Sequence, residues 1–354
     1  MRNLLLAFLA VLLIAPAAGA ESSIGFKQIE LPDHAGKRVL AVSLWYPSAP
    51  SAKSEIVGEN AAFFGLAVQP GATFPAGRRP LVLLSHGFGG SWRNLNWLAG
   101  ALVKDGYVVA APDHSGESFD EEKAAEVVPL WQRPRDITRT LTALLDDDRL
   151  AGEIDRTRIA VIGHSLGGWT AMELAGARYD AELALRDCDG EKKPPQCKAP
   201  RLLAKAGIVG GGKADPRLSM DLKDVRIRAV VALDLGPAAG FLPETLRAVD
   251  VPVLVLAAGV ETPEIAAIKA DSEYVARNLP KAKTVYREIP DASHFSFMQL
   301  CKANGEKIVE ALSPGEGFVC RDGGGRNRAA LHVQIAAMVG GFLNEALRQD
   351  GIRR

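Results

Sequence analysis

Arg158-Ile159-Ala160-Val161-Ile162-Gly163-His164-Ser165-Leu166-Gly167-Gly168 is the stretch from which the rest of the chain can be ordered. Its first half is a short continuous apolar run, the pattern of a strand buried on both faces. Its second half sets glycines around a serine and opens a helix-length segment of small and apolar residues, Gly168 to Ala177. A strand that becomes a helix within so few residues must bend sharply, and glycine at the flanking positions relieves the crowding a Cβ would cause. The bend leaves the serine hydroxyl exposed at the carboxyl edge of a sheet, which is the placement of a nucleophile elbow.

Similar apolar runs lie on either side: Pro80 to Ser85 and Tyr107 to Ala111 before the serine, then Ile227 to Leu233 and Val251 to Ala257 after it, followed by a further strand at Thr284 to Ile289. Helix-length segments separate them, at Trp92 to Lys104 and Arg133 to Asp147, and an amphipathic pattern from about Ala329 to Arg348 closes the chain. Alternating buried strands and helices predict an α/β fold with a mostly parallel central sheet and helices on both faces. The opening of the mature chain, through Val39 to Pro47, alternates as antiparallel strands do. We expect a single domain over residues 21–354. It is interrupted at about 176–225 by a Lys-, Asp-, Pro- and Gly-rich insertion, far longer than the about 2–6 residues usual between α/β elements. The insertion is either a cap-like segment over the site or a disulfide-pinned surface excursion.

The 354 residues carry 42 Lys+Arg against 42 Asp+Glu, so no net field draws the chain to nucleic acid or to an anionic membrane. With 47% hydrophobic and 24% charged residues, it has the composition of a globular core and not of a disordered or collagen-like chain. Residues 1–20 have the form of a signal peptide: Arg2, an apolar run from Leu4 to Ile14, and the small-residue site Ala18-Gly19-Ala20. The run is shorter than the roughly 20 residues of a spanning helix. A periplasmic or secreted protein with no stable membrane anchor after cleavage is therefore expected. Four cysteines in an exported chain predict disulfides, and we expect Cys188 with Cys197 and Cys301 with Cys320, each closing a short local loop. No metal or cofactor is implied, and nothing in the sequence sets an oligomeric state.

A serine hydroxyl attacks poorly until a base takes its proton and an acid fixes that base's tautomer. Only His294 and His332 follow Ser165. His332 falls in the C-terminal helical pattern and is expected to pack or cap its own helix. His294 lies on a loop past the last predicted strand, from which it can reach back over the sheet edge, and is the candidate base. Two acids end consecutive strands, Asp234 directly after Leu233 and Glu261 a few residues after Ala257; Asp291 is too near His294 in sequence to be a natural partner, and Asp113 precedes the serine. The oxyanion formed on attack needs hydrogen-bond donors. Ser85-His86-Gly87-Phe88-Gly89-Gly90 supplies an HG-type loop, making the N–H groups of Phe88 and Leu166 the candidate pair. His86 and His164 are expected to pack and orient backbone, and His114 either serves structure or lines the pocket.

With these residues in place, the chain resembles the α/β-hydrolases, and among them the platelet-activating-factor acetylhydrolase and predicted dienelactone-hydrolase-like group. The resemblance spans most of the mature chain. It is carried by Leu44-Trp45-Tyr46-Pro47, Ser85-His86-Gly87-Phe88-Gly89, Gly106 to His114, Ile154-Asp155-Arg156, Ile159 to Ser165, and Ala232-Leu233-Asp234. It implies a serine carboxylic-ester hydrolase that forms an acyl-enzyme on a small-molecule ester of short-chain or phospholipid type. It also implies Asp234 as the acid, because in the acetylhydrolase the acid follows the strand directly after the nucleophile unit. Two features depart from the pattern. The segment between Ser165 and Asp234 is longer than in the acetylhydrolase, and dienelactone hydrolases proper use cysteine where this chain has Ser165. The same triad would also serve an amide or peptide hydrolase, and an inactive binding protein on this scaffold is disfavoured by the intact set.

Overall fold

The computed structural model describes residues 23–32, 38–50, 53–114, 129–186, 215–262 and 268–348. Ten strands appear in these residues: β1 (Ser23–Pro32), β2 (Val39–Ser48), β3 (Glu55–Val57), β4 (Leu66–Pro70), β5 (Arg79–Ser85), β6 (Val108–Pro112), β7 (Ile154–His164), β8 (Ala229–Leu233), β9 (Val253–Ala258) and β10 (Thr284–Ile289). They form one sheet in the order β10-β9-β8-β7-β5-β6-β2-β1-β4-β3. The strands from β10 to β6 run parallel, and β2 and β1 continue the sheet antiparallel.

Side chains alternate across a strand, so the central strands feed two cores at once. On β7, Ile159 and Val161 point to one face and Ala160 and Ile162 to the other. The first face is covered by α2 (Gln132–Asp146), α3 (Leu166–Leu174) and α4 (Ile268–Asn278), through side chains such as Ile137, Leu141, Trp169 and Val275. The second is covered by α1 (Asn96–Lys104) and α6 (Arg328–Ala346), through Leu98, Leu102, Leu331 and Ile335. Burial on both faces is what makes these strands continuous apolar runs in the sequence.

The stretch between Ser48 and Arg79, which carries no clear pattern, contains β3 and β4. Helices α4 and α5 (Gly305–Leu312) are not among the expected elements; α4 buries only Ser272 and Val275, and α5 only Gly305. The signal-peptide residues 1–20, Cys188, Cys197 and positions 187–214 of the insertion lie outside the described residues. Among the described residues no helix is long and apolar enough to cross a membrane.

Cys301 and Cys320 form a disulfide, with Cα atoms 5.7 Å apart and 19 residues of separation. A loop of that length restrains the unfolded chain by about 3 kcal/mol. Replacing both cysteines with serine is expected to lower the urea midpoint accordingly; an unchanged midpoint would show that the bridge does not stabilise the fold.

Glu173 on α3 is fully buried, and neither carboxyl oxygen has a hydrogen-bond partner. Burial pushes its pKa well above the ordinary 4.5, so the folded state holds this proton more tightly than the unfolded chain. The stability this supplies is complete below about pH 4.5 and is lost as pH rises toward the folded value. Glu173→Gln removes that dependence. The difference in urea midpoint between variant and wild type is therefore expected to grow in the variant's favour from pH 4 to pH 8, and a pH-independent difference would contradict this.

Candidate active site

Ser165 stands between the last residue of β7 and the first of α3, at φ 55° and ψ −121°. A non-glycine residue there is strained and must be held by its surroundings. The Ser165 N–H donates to Leu233 O at 2.9 Å, and its carbonyl accepts from Gly168 N–H at 2.8 Å. The glycines are dictated by packing. A Cβ on Gly163 would fall 1.9 Å from Gly167 O, and one on Gly167 would fall 1.9 Å from Ser85 O. The ends of β5 and β7 and the start of α3 thus meet at backbone contact.

Asp234 follows β8, the neighbour of β7, so it lies at the adjacent strand end. It too has positive φ, 44°. Its carboxylate is fully buried: Oδ1 accepts from Ala258 N–H at 2.8 Å, and Oδ2 is 2.7 Å from His294 Nδ1. His294 opens a short 3₁₀ turn, His294–Phe297, directly beyond β10, and is itself buried. His164 donates from Nε2 to the His294 carbonyl at 2.9 Å. The Ser165 hydroxyl donates to none of the described residues. Catalytic hydrogen bonds are often long or poorly aligned before substrate binds.

The loop after β5 lies over the serine: a Cβ on Gly87 would be 3.3 Å from Ser165 Cβ. Gly90 N–H donates to Gly87 O at 3.2 Å, closing a turn with Phe88 and Gly89 at its centre, and Gly89 takes the positive φ of 67° that the turn requires. Leu166 is the first residue of α3, so its N–H is among those with no acceptor inside the helix. The two candidate donors therefore belong to residues immediately following the Gly87–Ser165 contact.

Glu261 is exposed, three residues past the end of β9, and does not meet His294. Asp291 pairs instead with Arg326 at 2.7 Å, and Asp113 accepts from Trp92 N–H at 2.7 Å. His332 packs face to face on Trp97, with ring centroids 3.6 Å apart. Burial pushes its pKa down to about 4, and its Nε2–H donates to Ser296 O and Met298 O, so it braces the His294 turn rather than capping its own helix. His86 accepts His114 N–H on Nε2 at 3.1 Å and donates from Nδ1 to Gly87 O at 2.8 Å.

Several residues near the site were not anticipated. Ser293 N–H donates to Ser296 Oγ, and that hydroxyl donates to Asp322 Oδ1 at 2.7 Å. Arg328 donates to Asp322 at 2.9 Å and also to Gln299 O and Val319 O, so the disulfide-bearing segment grips the turn around His294. Asp271 accepts from Ala238 N–H at 3.0 Å near the Asp234 loop, and burial pushes its carboxyl up to about 7. Arg133 and Asp136 stand in the apolar stripe of α2 with Ile137, Thr140, Leu141 and Leu144. A charge in an apolar stripe was the legible signal for that pair; Asp322 and Arg328 carry none.

The description of the alpha/beta hydrolase family matches residues 81–310, a span holding Phe88, Ser165, Leu166, Asp234 and His294. The chain belongs to the alpha/beta hydrolase family. Among relatives of this alpha/beta hydrolase, cutinase est2 of Thermobifida alba is 30% identical over 29% of this chain and 32% of its own length. Bis(hydroxyethyl) terephthalate hydrolase of Streptomyces coelicolor is 28% identical over 35% and 38%, and platelet-activating factor acetylhydrolase of Cavia porcellus is 29% identical over 27% and 31%. The chain thus spans about a third of the length of the relatives it matches. A solved ferulic acid esterase from Streptomyces cinnamoneus superposes with a TM-score of 0.59 at 23% identity, covering 95% of this chain and 93% of the esterase, which shows a shared fold.

Proposed function

We propose that this alpha/beta hydrolase is an exported carboxylic-ester hydrolase with Ser165 as nucleophile, His294 as general base and Asp234 as the acid that orients it. The observation that carries this reading is the buried 2.7 Å contact between Asp234 Oδ2 and His294 Nδ1, at the strand end next to Ser165. An ionised Asp234 can only accept there, so Nδ1 keeps its proton and Nε2 keeps a lone pair. Nε2 takes the Ser165 proton as Oγ attacks the ester carbonyl carbon. The negative oxygen settles between the N–H groups of Phe88 and Leu166. The imidazolium then protonates the departing alcohol, and a water activated by the same nitrogen releases the acid and restores Ser165.

Ester chemistry is favoured over amide chemistry by the relatives, whose names are those of a cutinase, a bis(hydroxyethyl) terephthalate hydrolase and an acetylhydrolase. Export is supported by the apolar leader and by the Cys301–Cys320 bridge, since disulfides persist in oxidising compartments. The reading treats residues 21–354 as one domain, because a single sheet serves both cores.

The test is a series of p-nitrophenyl esters of increasing acyl length, run beside an aminopeptidase substrate with Ser165→Ala as control. Turnover of the short esters that disappears in the variant is expected. Serine-dependent cleavage of the amide alone, or no serine-dependent turnover, would overturn the proposal.

A further inference from the structure

Behind the oxyanion loop lies a second Ser-His-Asp chain that substrate cannot reach. Ser85 Oγ is 2.9 Å from His114 Nε2, His114 Nδ1 is 3.0 Å from Asp136 Oδ2, and none of the three residues is more than 1% exposed. Burial holds the His114 pKa well below its ordinary value, so the ring is neutral, donating to Asp136 and accepting from Ser85. Arg38 donates to the same Asp136 Oδ2. A hydroxyl shut away this completely is no nucleophile.

Arg133 carries this array to the site. It is fully buried, where a guanidinium is stable only if its donors are matched. Its Nε donates to Thr170 Oγ1 at 3.0 Å, and its Nη2 donates to Ser85 Oγ at 3.3 Å and to the His86 carbonyl. Thr170 Oγ1 in turn donates to Leu166 O at 3.0 Å. One planar cation therefore bears on both sides of the proposed oxyanion hole: directly on His86, two residues before Phe88, and through Thr170 on Leu166.

We propose that Arg133 is the positioning residue of the oxyanion hole, setting the separation of the Phe88 and Leu166 N–H groups through the His86 carbonyl and the Thr170 hydroxyl, with Ser85, His114 and Asp136 as its fixed support. The proposal rests on the ester-hydrolase reading above. The loop lies close against α3: a Cβ on Gly167 would fall 1.9 Å from Ser85 O and 2.9 Å from His86 O, so no side chain fits between them. Arg133 keeps it from opening. The geometry calls for arginine because its donors lie in one rigid plane, whereas lysine offers a single flexible ammonium. Oxyanion donors act at about 2.7–3.1 Å from the developing charge, and loss of one lowers kcat by about 10²–10³-fold.

The experiment compares Arg133→Lys, Thr170→Val and, as a control on the same helix's outer contacts, Arg226→Lys, which touches Asp224 and Thr142. Amide hydrogen exchange of residues 86–90 and 166–168 is measured together with kcat, KM and affinity for a trifluoromethyl ketone, whose hemiketal oxygen occupies the same hole. In Arg133→Lys, faster exchange confined to these two segments is expected, with kcat and ketone affinity falling in parallel by about 10²-fold and KM nearly unchanged. Thr170→Val should shift the same quantities less, and Arg226→Lys should shift none. Unchanged exchange in Arg133→Lys, or faster exchange with unaltered kcat and ketone affinity, would overturn the assignment. If the wild type itself shows no Ser165-dependent ester turnover, the functional reading fails instead, and the exchange comparison still decides whether Arg133 holds the loop.

Discussion

Replacing Ser165 with alanine is expected to lower kcat for a short-chain ester by about 10⁶-fold while leaving the protein folded. Stability should change by no more than about 0.5 kcal/mol, because the hydroxyl donates to none of the described residues and alanine meets the same strained φ of 55°. The residual rate should still exceed that in water, since the Phe88 and Leu166 donors would remain to stabilise the oxyanion. His294→Ala should cost a comparable amount, and the double variant should be scarcely worse than either single one, because a nucleophile and its base act as a unit. That non-additivity tests the link between Ser165 and His294 directly. Independent losses that multiply in the double variant, or a Ser165→Ala enzyme that keeps its turnover, would exclude this pair as the catalytic centre.

Asp234→Asn is expected to lower kcat by about 10⁴-fold. Asparagine can keep one oxygen for the Ala258 N–H, but it then turns its NH₂ toward His294 Nδ1. The imidazole must answer by accepting at Nδ1, which moves its proton to Nε2 and leaves no lone pair to receive the serine proton. The ring stays in place in the wrong tautomer. Glu261→Gln, by contrast, alters an exposed side chain that does not touch His294 and should change kcat less than about twofold. A pH titration of the labelled imidazole would separate tautomer from position. Near wild-type turnover in Asp234→Asn together with a dead Glu261→Gln would reverse the assignment of the acid.

Much of this architecture was legible because burial on both faces writes itself into the strands as unbroken apolar runs, as in Ala229 to Leu233. The elbow around Ser165 was legible for a related reason. Its bend brings three backbone segments within contact distance, and only glycine at Gly163 and Gly167 permits that approach. Helices α4 and α5 did not stand out, since they bury few residues, Ser272 and Val275 on the first and Gly305 on the second. The choice between Asp234 and Glu261 stayed open on residue pattern alone, because both follow consecutive strands.

By itself the sequence determined where the chain bends, which strands are enclosed, and which serine stands at a strand-to-helix turn, since each of these depends on neighbours a few residues apart. Only the tertiary structure decided that Asp234 reaches His294 across 60 residues of chain, and that Arg133 joins the His86 loop to the start of α3. Those contacts depend on which strands lie side by side and on hydrogen-bond directions between remote backbone groups, and no local periodicity encodes either.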